Sequence, residues 1–180
     1  AGNAVSLVAS VSAPFGACTV AGETGILLNN RLRGFSLDPA SPNWLAPGRR
    51  PAHTLTPAMV LKDGQAEWII GTPGTAGQTC VLAQLLARLL ACGQAPADAF
   101  AAPRWSVDLE GRPVVERDMA EAVRAAVAER EPDVRPMPVG WQTFGSVKAC
   151  HWTADGLAAY ADRRRSAHAM ALDRPPTPTA

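Results

Sequence analysis

No apolar run in these 180 residues approaches the roughly 20 that a helix needs to cross a bilayer. The longest candidate, Thr79–Cys92, is interrupted by Gln84 and Arg88 and reads as a buried core helix. An excess of one charge is also missing. The net charge is +1, so the balance gives no case for nucleic acid or an anionic membrane as partner. Close cysteine pairs are absent too. Cys18, Cys80, Cys92 and Cys150 stand far apart without a C-x-x-C, which argues against a structural zinc site. Their expected role is that of buried thiols acting as small hydrophobes. No metal or organic cofactor is implied, and neither an internal repeat nor a signal-peptide pattern is found. The chain opens on Ala1-Gly2-Asn3, which is no initiator sequence and reads as the tip of a hairpin, so a strand is expected upstream.

What is present is hairpins and two core helices. Val5–Ser12 alternates, with Val5, Leu7, Ala9 and Val11 on one face and Ser6, Val8, Ser10 and Ser12 on the other, and predicts a strand. Gly25–Leu28 predicts a second, short strand opening into a polar loop, with Glu23 capping the turn before it. Asp38 to Arg50 is rich in Pro, Asn and Gly and reads as an ordered loop. Pro57–Leu61 and Ala66–Ile70 flank Asp63-Gly64, a strong hairpin signal. The Gly-rich turn Gly71–Gly77 leads into a helix from about Gln78 to Cys92, stopped by Gly93. A short helix follows at Pro96–Ala102, then a hairpin around Glu110-Gly111-Arg112. A helix capped by Asp118 runs to about Arg130, with Met119, Ala122, Val123, Ala126 and Val127 as its apolar stripe. Ser146–Thr153 and Leu157–Ala161 make a last hairpin. These elements predict a mixed, largely antiparallel α+β domain. Residues 1–166 are expected to form it, with 167–180 a flexible tail.

Several of these segments resemble the small, C-terminal subunit of the gamma-glutamyltransferase (gamma-glutamyltranspeptidase) family. They are Gly2–Leu7 (GNAVSL), Gly25–Asn30 (GILLNN), Arg50-Pro51 with Thr56-Pro57, Gly71–Gly74 (GTPG), Ala102–Arg104 (APR) and Asp162–Ser166 (DRRRS). They occur in the family's order over nearly the whole chain. The resemblance implies an N-terminal nucleophile hydrolase fold, a four-layer αββα sandwich of which this chain holds part. It also implies a precursor that cuts itself and a larger N-terminal subunit of the same precursor as partner. The nucleophile is then the new N-terminal Thr of the small subunit, upstream of Ala1, and the chain alone is expected to be inactive. The compartment is left open, periplasm or cytoplasm of a bacterium, and the charge balance and short apolar runs give no nucleic-acid partner and no membrane segment in this chain.

Residue by residue, the resemblance makes Ser10 the hydroxyl that orients the nucleophile, and Ser12 a contact for the substrate's α-amino group. His53 and Thr54 stand where paired serines hold the substrate's α-carboxylate. Gly74 and Thr75 stand at the Gly-Gly whose N–H groups form the oxyanion hole. Asn29 and Asn30 are expected to organise their loop through side-chain to backbone bonds. His151 and His168 have no partner pattern, and Asp162–Arg165 is expected to be a solvated, salt-bridging run. Two departures stand out. The family carries an acidic or amide residue and an Asp where this chain has Arg31 and Gly34, and Arg33 adds a second positive charge. A substrate ammonium beside Arg without a carboxylate is disfavoured, whereas Arg forks onto a carboxylate well. Arg31 and Arg33 are therefore candidates to receive an anionic or neutral acyl group.

The expected function is a gamma-glutamyltransferase-like amide hydrolase or acyl transferase working through a Thr acyl-enzyme on a small γ-glutamyl or related amide. The alternatives are an acylase of the same family on a non-glutamyl amide, such as a β-lactam side chain, and a catalytically silent binding or structural module.

Overall fold

The computed structural model describes residues 3–170. It divides into two compact units, one made of Ala1–Leu7 with Thr56–Ala180 and the other of Val8–Leu55. Of the expected tail, residues 171–180 lie outside the described residues.

In the first unit a four-stranded antiparallel sheet has the order β1-β2-β6-β7. Strands β1 (Ala58–Lys62) and β2 (Gln65–Gly71) form the expected hairpin. Asp63 and Gly64 both take positive φ (51° and 76°), which a two-residue turn of this hand requires. Strands β6 (Lys148–Thr153) and β7 (Gly156–Ala161) form the second expected hairpin, and β6 pairs with β2. One face of the sheet carries Trp68, Ile70 and Ala149, which pack on Val81, Leu82 and Leu85 of helix α1 (Gln78–Leu86) and on Phe100 of α2 (Pro96–Ala101). Burying each large apolar side chain stabilises by roughly 1.5–3 kcal/mol, so this face is what holds the unit together. Helix α1 continues as one wide turn over Ala87–Ala91, and Gly93 (φ 60°) closes it as expected.

A second sheet has the order β3-β4-β5: Trp105–Val107, Pro113–Glu116 and Arg135–Met137. The β3/β4 hairpin is the expected one. β5 was not expected, and it pairs in parallel with β4 across helix α3 (Glu121–Ala128). Pro136 masks it in sequence, because proline cannot donate to a ladder and is tolerated only at an edge, where β5 lies. The expected Asp118 cap and Met119 stripe are corrected. The chain is still turning at Met119, whose N–H donates to Glu116 O, and α3 begins only after Ala120. Val123 is half exposed and no residue of α3 is buried.

Val5–Ser12 is not a strand. The alternation predicts a sheet strand, but among the described residues no ladder pairs it. The Ser6 hydroxyl donates to Ile70 O (2.8 Å), and Val5 and Leu7 of the expected apolar face are exposed. Gly25–Leu28 survives as an irregular pairing in the second unit. Leu27 bridges Val20, and Ala17 N–H donates to Leu28 O while Leu28 N–H donates to Thr19 O. The cysteines are also corrected: all are free thiols and none is buried, Cys18 and Cys92 being exposed and Cys80 and Cys150 intermediate.

Candidate active site

The second unit gathers most of the expected substrate residues through asparagine side chains. Asn30 accepts Ala13 N–H on Oδ1 (3.0 Å) and donates its own N–H to Val11 O (3.1 Å), tying the Val11–Ala13 turn to the Arg31–Gly34 turn. Asn29 Oδ1 caps that turn by accepting Arg31 N–H (3.0 Å). Asn43 does the same work on the other side. Its Nδ2 donates to Gly34 O (2.6 Å) and its Oδ1 accepts Ala52 N–H (3.0 Å). Three stretches of chain that carry Ser10 and Ser12, Arg31 and Arg33, and His53 and Thr54 are thus stapled into one loop cluster. Glu23 has no part in it; the turn before Gly25 is organised by Thr24, whose hydroxyl donates to Ala21 O and accepts Ile26 N–H.

Within the cluster, Ser10 Oγ accepts Ser12 N–H (3.1 Å), and Ser12 takes φ 79°. The two serines therefore do not stand on one strand face, as the alternation predicts; they form a turn. His53 Nδ1 accepts Leu55 N–H (3.2 Å), which leaves Nε2 as its free ring nitrogen. Among the described residues neither Arg31 nor Arg33 forms an ion pair, and Arg33 is exposed. A methyl at Gly34 would meet only Ala52 O at 3.5 Å, so the absent acid leaves open space rather than a replacement. The cluster is cationic, with hydroxyl and imidazole donors at its margin.

The first unit supplies the Gly71–Gly77 turn. Gly74 has φ 152° and Thr75 φ 51°, both in the left-handed half of backbone space. Gly74 O accepts Gly77 N–H (2.8 Å) and the Thr75 hydroxyl (2.7 Å). Beneath the turn lies a cradle that sequence reasoning missed. Thr72, Ser106, Thr143 and Ser146 are buried. A methyl on Gly145 would overlap the Thr72 hydroxyl, and one on Gly77 would overlap Ser106 Oγ and Thr143 O. Isolated hydroxyl residues far apart in sequence carry no signal of such convergence.

A buried ion network braces the same unit. Arg104 pairs with Asp162 (2.7 Å), and Arg164 pairs with Glu116 (2.6 Å) and Asp162 (3.2 Å). The Asp162–Arg165 run is therefore not solvated at its first and third positions: the Asp162 and Arg164 side chains are 0% and 1% exposed. Burial alone would raise the Asp162 pKa, but Arg104 and the N–H groups of Arg164 and Val147 hold its carboxyl below the ordinary 3.8. His151 is stacked flat on Trp68 (3.8 Å between centroids), its Nδ1 is buried without a partner, and desolvation pulls its pKa below 6.5 against the opposing pull of Glu67.

The sequence profile of the gamma-glutamyltranspeptidase family matches residues 1–172. The chain belongs to that family. Over 104 residues it is 45% identical to the glutathione hydrolase-like YwrD proenzyme of Bacillus subtilis, covering 58% of this chain and 20% of that protein. Over 182 residues it is 34% identical to the oxamate amidohydrolase proenzyme of Klebsiella pneumoniae, covering 94% and 33%. The chain thus spans between a fifth and a third of these relatives. In fold it matches the gamma-glutamyltranspeptidase of Pseudomonas nitroreducens complexed with L-DON, at TM-score 0.79 and 22% identity over 96% of this chain and 95% of that one. The architecture is accordingly part of the α+β N-terminal nucleophile hydrolase fold. Among the described residues no helix is long and apolar enough to cross a membrane.

Proposed function

We propose that this polypeptide is the small-subunit part of an amide hydrolase or acyl transferase that works with a larger N-terminal subunit cut from the same precursor. The reading is supported by family membership and by the proenzyme names of both relatives. In it, the hydroxyl of a Thr upstream of Ala1 attacks the amide carbonyl, with its own α-amine as base. The Gly74 and Thr75 N–H groups hold the oxyanion, Ser10 orients the nucleophile, and the amine leaves. Water or a second amine then takes the acyl group.

The acyl group is one with a carboxylate or neutral end rather than a γ-glutamyl ammonium. The single observation behind this is the Arg31–Gly34 turn: two guanidiniums with no acid partner among the described residues, beside the empty place of Gly34. An ammonium there would face repulsion with no compensating charge, while a carboxylate would gain charge-assisted hydrogen bonds of about 1.5–3 kcal/mol each. The relative named for oxamate, an amide carrying a carboxylate, fits the same electrostatics. Ser12, His53 and Thr54 complete the acyl pocket.

Mass spectrometry of the expressed precursor tests the first statement: cleavage that leaves an N-terminal Thr is expected, and an intact chain would favour the binding-module alternative. Rates on a γ-glutamyl anilide and an oxalyl anilide test the second. A preference of at least about tenfold for the oxalyl substrate is expected, and a γ-glutamyl preference overturns it.

A further inference from the structure

The oxyanion role given to Gly74 and Thr75 needs both N–H groups to point the same way, out of the protein, so each peptide plane must be held in place. The Thr72 hydroxyl supplies a means. Ser146 N–H donates to Thr72 Oγ1 (3.1 Å), so that oxygen is already an acceptor on one side. A hydroxyl has one proton, and with an N–H facing it that proton must go elsewhere. It goes to Pro73 O (2.7 Å). Thr72 and Ser146 are 2% and 0% exposed, so water does not compete for either bond.

Pinning a carbonyl aims an amide. The described residues contain no cis peptide, and in a planar trans peptide the C=O and the following N–H point in opposite directions. Pro73 O is drawn toward the Gly145–Ser146 loop, so Gly74 N–H points away from it. Gly74 O is drawn to Gly77 N–H and to the Thr75 hydroxyl, so Thr75 N–H likewise points opposite. Among the described residues neither N–H donates to any other acceptor. Gly145 is what lets the loop come so near, since any side chain there would displace the Thr72 hydroxyl.

We infer that Thr72, held by Ser146 N–H, is a positioning residue that sets the direction of the Gly74 amide, and that the Thr75 hydroxyl does the same for its own amide. The inference rests on the oxyanion reading of this turn. Preorganised donors act on the transition state more than on the bound substrate, so their misdirection should appear in kcat rather than KM.

The test is made on the processed full-length enzyme with whichever of the two anilides it hydrolyses faster. Thr72→Val is expected to lower kcat by about 10- to 100-fold with KM within about twofold, and Thr72→Ser to recover most of the loss. A merely structural Thr72 would lower the melting temperature and leave kcat of the folded fraction unchanged, and that result overturns the inference. If Thr72→Val does not mature, Thr75→Val decides alone: a kcat loss supports the assignment and an unchanged kcat overturns it. Gly74→Ala, strained at φ 152°, separates this from the parent reading. Loss of kcat there with Thr72→Val unaffected defeats only the positioning role; no loss in either defeats the oxyanion turn itself.

Discussion

Gly77 and Gly111 separate two costs that one methyl group can carry. Gly77 has φ −77°, open to any residue, so the penalty of Gly77→Ala is purely steric, against Ser106 Oγ and the Thr143 carbonyl. It should destabilise by about 3 kcal/mol because a buried carbonyl cannot move aside. Gly111 has φ 80° with nothing within 4 Å of an added Cβ, and Gly111→Ala should cost only backbone strain, about 1 kcal/mol. Thermal denaturation of both variants checks the order. His151 gives a pH signature. Its folded pKa lies below the unfolded 6.5, so the unfolded chain binds the proton more readily. Stability should be full above pH 6.5 and fall as the pH drops below it, and His151→Phe, which keeps a ring on Trp68, should flatten that slope in denaturant titrations at stepped pH.

At the scale of elements, the bracing of β4 and β7 by buried ions is the most vulnerable feature. Asp162→Asn leaves Arg104 as an uncompensated buried charge and should destabilise by about 3–5 kcal/mol. In the native chain the Asp162 contribution is complete above pH 3.8 and is lost as the pH falls below it, because the folded pKa is the lower one. Urea melts of the variant and of the native chain in acid would check both. The elements readable from sequence were those whose signal is local: the Asp63-Gly64 turn, the apolar α1 with Gly93 behind it, and the hairpins around Gly111 and Asp155-Gly156. What escaped was non-local. Among the described residues β5 has β4 as its only neighbour and Val5–Ser12 lacks the ladder that alternation presumes, and Asp162 and Arg164 look like any surface charges until Arg104 and Glu116 meet them. The candidate site divides in the same way. The turn at Gly74 is legible as a motif, whereas Asn43 and the Thr72–Ser146 contact are made by folding alone.

At the scale of the molecule, many large apolar side chains lie in solvent. Leu37, Leu7 and Phe15 are 85%, 82% and 76% exposed, and Leu32, Ile26, Leu61 and Trp152 are at least 60%. On the proposed two-subunit reading, the chain by itself should bind a hydrophobic dye strongly and co-expression with a larger subunit should lower that fluorescence several-fold; equal signals would count against that subunit covering these side chains. Cys150 offers a finer gauge. It stands on the strand β6 opposite Ile69 and Ala159, on the reverse of the sheet face that buries Trp68 and Ile70, and its thiol is free and partly accessible. If the proposed larger subunit docks on that side of the sheet, a maleimide would time its arrival from within: alkylation would be quick while the face is bare and would stall once a neighbour closes over it.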